Sequence, residues 1–328
     1  MSVVLFTLGG TIAMNGSIPG QPDSPVVARL GGADLVAAVP GLADLGTPLD
    51  VRDTRAVPSA DLTYAQMLEL ADVASGAVFQ GAQGIVVTQG TDTLEETAYL
   101  IDLVWRHDVP IVLTGAMRNP TLAGPDGPAN VLAAARVAAA PEARGLGALV
   151  VFNDEIHAAR WVRKTHSTNP ATFASPNSGP IGHVIEGGVR ILARPPRHVP
   201  IESPAPQRIE QTRVALYGVT LDDDGGLLTS VAGSYDGLVV AAFGVGHVPG
   251  ALAPTLGELA QRLPVVLASR TGSGSVLRNT YGAVGSESDL RKRGLVSAGM
   301  LDPYKAKVLL RLALACDLDI ARAFEERG

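Results

Sequence analysis

The chain has 328 residues, 46% hydrophobic and 18% charged, ample for a buried core and too weakly charged for a self-repelling, disordered chain. Its formal net charge of −6 argues against nucleic acid as the main partner, and the one dense basic run, Arg291-Lys292-Arg293, stands just before Gly294, where a helix end places its cations and its C′ glycine. With a single cysteine, Cys316, neither an intramolecular disulfide nor a cysteine-built zinc cage is possible.

At ~100–200 residues per domain the length suggests two domains or one large α/β unit. Met1 to Phe6 has no basic n-region or cleavage pattern, and no segment offers ~18 consecutive apolar residues. The expectation is a cytoplasmic chain with reduced thiols and no membrane partner. Short runs rich in Val, Ile and Leu, bounded by turn residues, read as strands buried on both faces: Val3 to Thr7, Gly84 to Thr88, Pro110 to Thr114 and Ala148 to Phe152. Between them the spacing predicts helices over Ala33 to Val39, Ala65 to Ser75 (with Gly76 as its C′ residue), Thr93 to Arg106 and Ala129 to Ala139. This alternation, extending over the first ~190 residues, predicts a doubly wound α/β domain with a mainly parallel sheet.

The stretch from Ala193 to Gln211 is proline-rich with little periodicity and reads as a linker. Beyond it, strands are expected at Thr212 to Thr220, Leu238 to Phe243 and Pro264 to Ser269, and helices at Leu256 to Leu263 and Asp302 to Cys316. Cys316, ending the apolar run from Val308, is expected to be a small core residue. The organisation is therefore a catalytic α/β domain over 1–192, a linker over 193–211 and a smaller C-terminal α/β domain over 212–328.

Ligands of open parallel sheets bind beyond the carboxyl ends of the strands, so the residues following each strand carry the chemical signal. They are Leu8-Gly9-Gly10-Thr11 after the first, Gln89-Gly90-Thr91-Asp92-Thr93 after the second, Gly115-Ala116-Met117-Arg118 after the third, and Asn153-Asp154 leading to Arg163-Lys164 after the fourth. Paired glycines let backbone amides face a ligand, and a threonine directly after such a turn can be a nucleophile or simply a helix cap. Asp92-Thr93-Leu94-Glu95 fits a capping box, a sufficient structural reason for the acid, while a helix start also attracts anions. A lone lysine is ordinarily a solvated surface group; to act as a base, Lys164 would have to fall from ~10.4 toward ~7–8, a cost of roughly 4 kcal/mol. There is no Gly-x-Gly-x-x-Gly fingerprint, phosphate loop, His-Glu-x-x-His pair or Gly-x-Ser-x-Gly elbow, so no cofactor and no metal are expected.

These motifs resemble the bacterial L-asparaginase/glutaminase family. Thr7 to Ala13 matches its first signature and Thr88 to Ala98 its second. Gly115 to Arg118, Asp126-Gly127-Pro128-Ala129-Asn130, Lys164-Thr165, Ala171-Thr172-Phe173, Gly179-Pro180-Ile181-Gly182 and Leu301 to Leu310 continue it in order along nearly the whole chain. The resemblance implies hydrolysis of the side-chain amide of L-asparagine to L-aspartate and ammonia through a threonine acyl-enzyme. It implies Thr11 as primary nucleophile, on a loop from about Ile12 to Arg29 that closes over substrate, and a second set of Thr91, Asp92 and Lys164. In that set Lys164 would polarise or deprotonate Thr91, directly or through a water, and Asp92 would also hold the substrate ammonium. Ser59 is implied to hold the substrate carboxylate, and Gly10, Gly90, Thr91 and Ala116 to build the cradle. A homo-oligomer, a dimer of dimers, is implied as well.

Three departures stand out. No tyrosine lies between Thr7 and Ser59 to orient Thr11; Ser24, Pro25 and Val26 occupy that neighbourhood. Gln89 replaces the histidine of the second signature. His247 replaces an asparagine in the C-terminal domain, with a substrate contact and an interface as open alternatives. Broader glutaminase-asparaginase activity, the asparaginase-like subunit of a tRNA-dependent amidotransferase (whose extra N-terminal module finds no counterpart before Gly9) and a silent binding module are the competing readings.

Overall fold

Along the first strand, Ser2–Thr7 (β1), the buried side chains of Val3 and Leu5 point to one face and those of Val4 and Phe6 to the other. A strand apolar on both faces belongs inside a sheet covered on both sides. A computed structural model describes residues 2–10, 14–16, 26–28 and 32–328, the side chains of 14–16, 26–28 and 33–35 excepted. The chain divides into two compact units, Met1–Pro200 and Ile201–Gly328.

The first unit continues with β2 (Met14–Gly16), β3 (Val26–Ala28), α1 (Gly32–Ala37), β4 (Leu49–Asp53), α2 (Tyr64–Phe79), β5 (Ala82–Thr88), α3 (Leu94–Val104), β6 (Ile111–Thr114), α4 (Gly127–Ala139) and β7 (Ala148–Phe152). It ends with β8 (Glu155–Ala158), β9 (Arg163–Lys164), β10 (Phe173–Ala174), β11 (Gly182–Ile185) and β12 (Gly188–Ile191). Its large sheet has eight strands in the order β12-β11-β8-β7-β6-β5-β1-β4. The five from β4 to β7 are parallel. On one face Val3, Leu5, Val86, Val112, Leu149 and Val151 pack with Val131, Ala134, Ala135 and Ala138 of α4. The alternate strand residues turn to the opposite face, where α2 packs on β5 and α3 on β6 and β7.

The expected β-α alternation holds as far as β7. After it, β8, β11 and β12 join antiparallel. The cause is local: Asn153 and Asp154, with φ of 50° and 60°, fold β8 directly back on β7, and Glu186 and Gly187, with φ of 50° and 79°, fold β12 back on β11. β9 and β10 form a separate two-stranded ribbon. Within the segment expected to be a closing loop, β2 and β3 pair antiparallel; the rest of that segment, including Ser24 and Pro25, lies outside the described residues.

The second unit comprises α5 (Pro206–Gln211), β13 (Val214–Gly218), β14 (Gly237–Ala242), α6 (Ala253–Ala260), β15 (Val265–Ser269), α7 (Glu287–Lys292), β16 (Val296–Ser297), α8 (Pro303–Ala315) and α9 (Ile320–Arg327). Its four strands are parallel in the order β13-β14-β15-β16. The whole is α/β, a large mainly parallel sheet followed by a smaller parallel-sheet unit, as the sequence predicts.

Three local expectations are corrected. Helix α2 runs through Gly76 to Phe79, because Ala74 and Ala77 continue its buried face and tertiary packing outweighs the ~1 kcal/mol cost of a helical glycine; Gly81, with φ of 101°, takes the left-handed position instead. Cys316 is half-buried, placed at the C-cap of α8 with its thiol directed at the Glu202 carbonyl, so it is no core residue. The proline-rich stretch carries α5, where Pro206 begins the helix at a position whose amide needs no partner. The basic run falls as expected on the last turn of α7, before Gly294.

Candidate active site

Strand β1 connects onward to β4 on one side of the sheet, whereas β5, on its other side, connects to β6. The loops leaving the carboxyl ends of β1 and β5 therefore diverge, and such a switch point opens the crevice in which α/β sheets bind ligands. Of the described residues the sequence singles out, Gly10, Ser59 and Gly90 touch one another here, and Thr91, Asp92 and Lys164 are joined by hydrogen bonds.

At their bases, before they part, the turns after β1 and β5 touch because glycines allow it. Gly10 has φ of 90°, and a Cβ there would stand 2.3 Å from the Gly90 backbone nitrogen, so only glycine lets the turn after β1 press on the turn after β5. A Cβ on Gly90 would stand 2.8 Å from Ser59 Oγ, which places the buried Ser59 directly over that turn. Ser59 lies in a short 3₁₀ turn after β4, and its carbonyl accepts a 2.9 Å hydrogen bond from Thr93 Oγ1. The loop after β6 joins through Gln89 N–H, which donates to the Thr114 carbonyl at 3.0 Å. Ala116, also buried, is held there by Asp126 and Asn130. The Asp126 carboxylate accepts from the amides of Met117 and Arg118, and Asn130 Nδ2 donates to the Gly115 carbonyl at 3.0 Å.

Lys164 reaches the crevice from β9. Its Nζ donates to Thr91 Oγ1 at 2.9 Å and to Asp92 Oδ1 at 2.7 Å. Thr91 is buried, with 6% of its surface exposed, while the Asp92 side chain is 71% exposed and that of Lys164 17%. The ammonium thus bridges a sheltered hydroxyl and a carboxylate open to solute. Thr11 lies outside the described residues; the chain next to it at Gly10 is the part pressed against Gly90.

The Asp92-Thr93-Leu94-Glu95 capping box does not form. Thr93 occupies the N-cap, but its side chain makes no capping bond; it accepts instead from Gln89 Nε2 at 3.2 Å while donating to Ser59. Gln89, wholly buried, also donates to Thr97 Oγ1 at 3.1 Å. Gln89 thus ties the turn after β5 to the start of α3. Glu95, buried on the first turn of α3, accepts the backbone N–H of Lys164 at 2.5 Å. Sequence reasoning missed this contact, because a carboxylate three residues after Asp92 already had an ordinary capping explanation.

In the second unit His247 Nε2 lies 3.2 Å from Glu287 Oε2, and its ring meets Tyr281 edge-on at 4.8 Å. The Glu287 carboxylate also accepts the amides of Thr280 and Tyr281, and those bonds hold it below the ordinary glutamate range against the opposing effect of desolvation. Among the described residues no cluster of three His, Cys, Asp or Glu side chains suits a metal ion, and no helix is long and apolar enough to cross a membrane.

A doubly wound sheet whose switch point gathers a hydroxyl, a carboxylate and a lysine amine defines the class of α/β proteins whose ligand site lies beyond the carboxyl ends of the strands. The asparaginase N-terminal family model matches residues 2–197, and the glutaminase/asparaginase C-terminal domain model matches residues 213–325. The chain is 35% identical over 331 residues to a probable L-asparaginase of Deinococcus radiodurans, covering 99% of this chain and 97% of that one. It is 34% identical to L-asparaginase 2 of Escherichia coli, covering 95% and 88% of the two chains. With a glutaminase-asparaginase of Pseudomonas fluorescens it shares 33% identity over 95% and 86%. The crystal structure of a probable cytoplasmic L-asparaginase from Campylobacter jejuni superposes with a TM-score of 0.87 at 32% identity, covering 99% of each chain. The chain belongs to the bacterial L-asparaginase family.

Proposed function

We propose that this chain hydrolyses the side-chain amide of L-asparagine to L-aspartate and ammonia. The observation that carries the reading is the Lys164 amine donating to both Thr91 Oγ1 and Asp92 Oδ1 at the sheet's switch point, in a chain whose relatives are named L-asparaginases. An amide is a poor electrophile and a threonine hydroxyl a weak nucleophile, so dividing hydrolysis into acyl-enzyme formation and breakdown replaces one difficult step by two easier ones.

Thr11 attacks the amide carbon, its proton passes to the leaving nitrogen, and ammonia departs as the threonine ester forms. Water, held by Thr91 whose oxygen the Lys164 amine polarises, adds to the ester carbon, its proton passes through Thr91 to the departing Thr11 oxygen, and aspartate leaves with the free threonine restored. Asp92, the exposed acid of the set, binds the substrate ammonium; Ser59 binds its carboxylate. The amides around Gly10, Gly90 and Ala116 receive the oxyanion. The test is ammonia release by the purified chain from L-asparagine. Measurable turnover supports the reading, and binding of L-aspartate by calorimetry without any turnover overturns it.

The similarity to the Pseudomonas fluorescens glutaminase-asparaginase favours some activity on L-glutamine as well. One methylene is worth only ~1–3 kcal/mol in such a pocket, and the ratio of kcat/KM for the two amides measures it. Cytoplasmic location and a homotetramer built as a dimer of dimers complete the proposal. Light scattering on the purified chain tests the assembly, a monomer being the contrary result.

A further inference from the structure

The ribbon that carries Lys164 is short. β9 pairs only with β10, through Lys164 with Phe173 and Arg163 with Ala174, and a two-stranded ribbon is marginal on its own. Besides the bonds of the Lys164 amine to Thr91 and Asp92, three further contacts among the described residues hold it. At the far end of β10, Ser175 Oγ meets His157 Nδ1 on β8 at 3.0 Å, both residues buried. In the middle, Phe173 packs on Phe152 of β7 with ring centroids 4.5 Å apart. At Lys164 itself, Glu95 Oε2 takes the backbone N–H at 2.5 Å.

The third contact differs from the others in where it leads. Glu95 stands on the first turn of α3, directly after the turn that presents Thr91 and Asp92. Its carboxylate therefore ties the lysine backbone to the helix end bearing the two side chains that the lysine amine serves. A displacement of about 1 Å at the end of a catalytic array is enough to cost on the order of 100-fold in rate. Resting on the reading of Lys164 as the group that acts on Thr91, we propose that Glu95 is a positioning residue for the amide hydrolysis, fixing the Lys164 amine against Thr91 by holding the lysine backbone.

Two near-isosteric variants separate reach from charge, so the test does not depend on emptying a buried position. Glu95→Gln keeps the side-chain length and an acceptor oxygen; Glu95→Asp keeps the charge but is one methylene too short to meet the Lys164 amide. The readouts are kcat and KM on L-asparagine, with Lys164→Ala measured beside them. The expected result is that Glu95→Asp lowers kcat about 10-fold or more with KM within about 3-fold, while Glu95→Gln stays within about 3-fold of the parent in both constants. The proposal is overturned if Glu95→Asp keeps kcat within about 2-fold, if Glu95→Gln falls as far as Glu95→Asp, or if the loss appears in KM alone. A Lys164→Ala enzyme that retains parental turnover sinks the assignment of Lys164, whereas its inactivity beside a fully active Glu95→Asp sinks the role of Glu95 only.

Discussion

Lys164 Nζ lies 2.9 Å from Thr91 Oγ1 although 73 residues separate them. Strand β5 delivers the threonine and the ribbon of β9 and β10 delivers the lysine, so the pair exists only in the folded sheet. If Lys164 draws on the Thr91 hydroxyl during ester breakdown, Lys164→Ala lowers kcat by roughly 10²–10⁴-fold, the range for loss of a general acid or base. KM changes much less, since the substrate contacts remain. Steady-state ammonia release measures both constants.

Ser59 predicts the opposite pattern. Its hydroxyl stands over Gly90, next to Thr91 in the chain, where the proposed reading has it bind the substrate carboxylate. A hydrogen bond to a charged partner contributes about 1.5–3 kcal/mol, so Ser59→Ala raises KM for L-asparagine roughly 10- to 100-fold and leaves kcat within a few-fold. Equal losses in kcat would move Ser59 from binding to chemistry.

Gly10 and Gly90 define a steric prediction. A methyl at Gly10 would stand 2.3 Å from backbone nitrogen, an atom that cannot move aside as a flexible side chain can. Gly10→Ala forces the turns after β1 and β5 apart and abolishes most turnover, with a fall in thermal stability of about 1–3 kcal/mol typical of overpacking. Kinetics with a thermal melt on the same sample check both effects.

His157 gives a pH dependence of stability. Burial, reinforced by His183, lowers its imidazole from 6.5 to about 4. The folded state therefore prefers the neutral ring, while the unfolded chain takes up a proton near 6.5. This contribution is present above pH 6.5 and is lost as the pH falls toward 4, amounting to about 3 kcal/mol at most. His157→Gln flattens the stability profile between pH 6.5 and 4, as measured by denaturant unfolding at a series of pH values.

Asp102 has the opposite sign. Desolvation raises its carboxyl from 3.8 to about 6, against the hydrogen bond from the Ala148 amide and the charge of Arg197. The folded state prefers the protonated form, so this stability is present below pH 3.8 and is lost as the pH rises through 6. Asp102→Asn, which keeps an acceptor for Ala148, raises the melting temperature at pH 8 and has little effect at pH 4.

Much of this architecture is legible in the sequence because its signals are strong ones. The apolar runs of β1, β5, β6 and β7 are bounded by turn residues, and the glycine pairs and threonines follow them at the ends where ligands bind. What is hidden is short or doubly explained. β8 to β12 are strands of two to four residues, too brief for periodicity; β8 turns back on the positive φ of Asn153 and Asp154, and β12 on that of Glu186 and Gly187. Gln89 and Thr93 read as a signature variant and a helix cap, but Gln89 Nε2 donates to Thr93 and Thr97, and Thr93 donates to Ser59. Glu95 reads as a capping acid, and its bond to a backbone 69 residues away has no trace in local sequence.

The most direct test of the central claim is ammonia release from L-asparagine by the parent chain, Thr11→Ala and Thr91→Ala under identical conditions. The account predicts steady turnover by the parent and a loss of roughly 10³-fold or more in each variant, as removal of a nucleophile or its partner requires. Parental rates in both variants would contradict it.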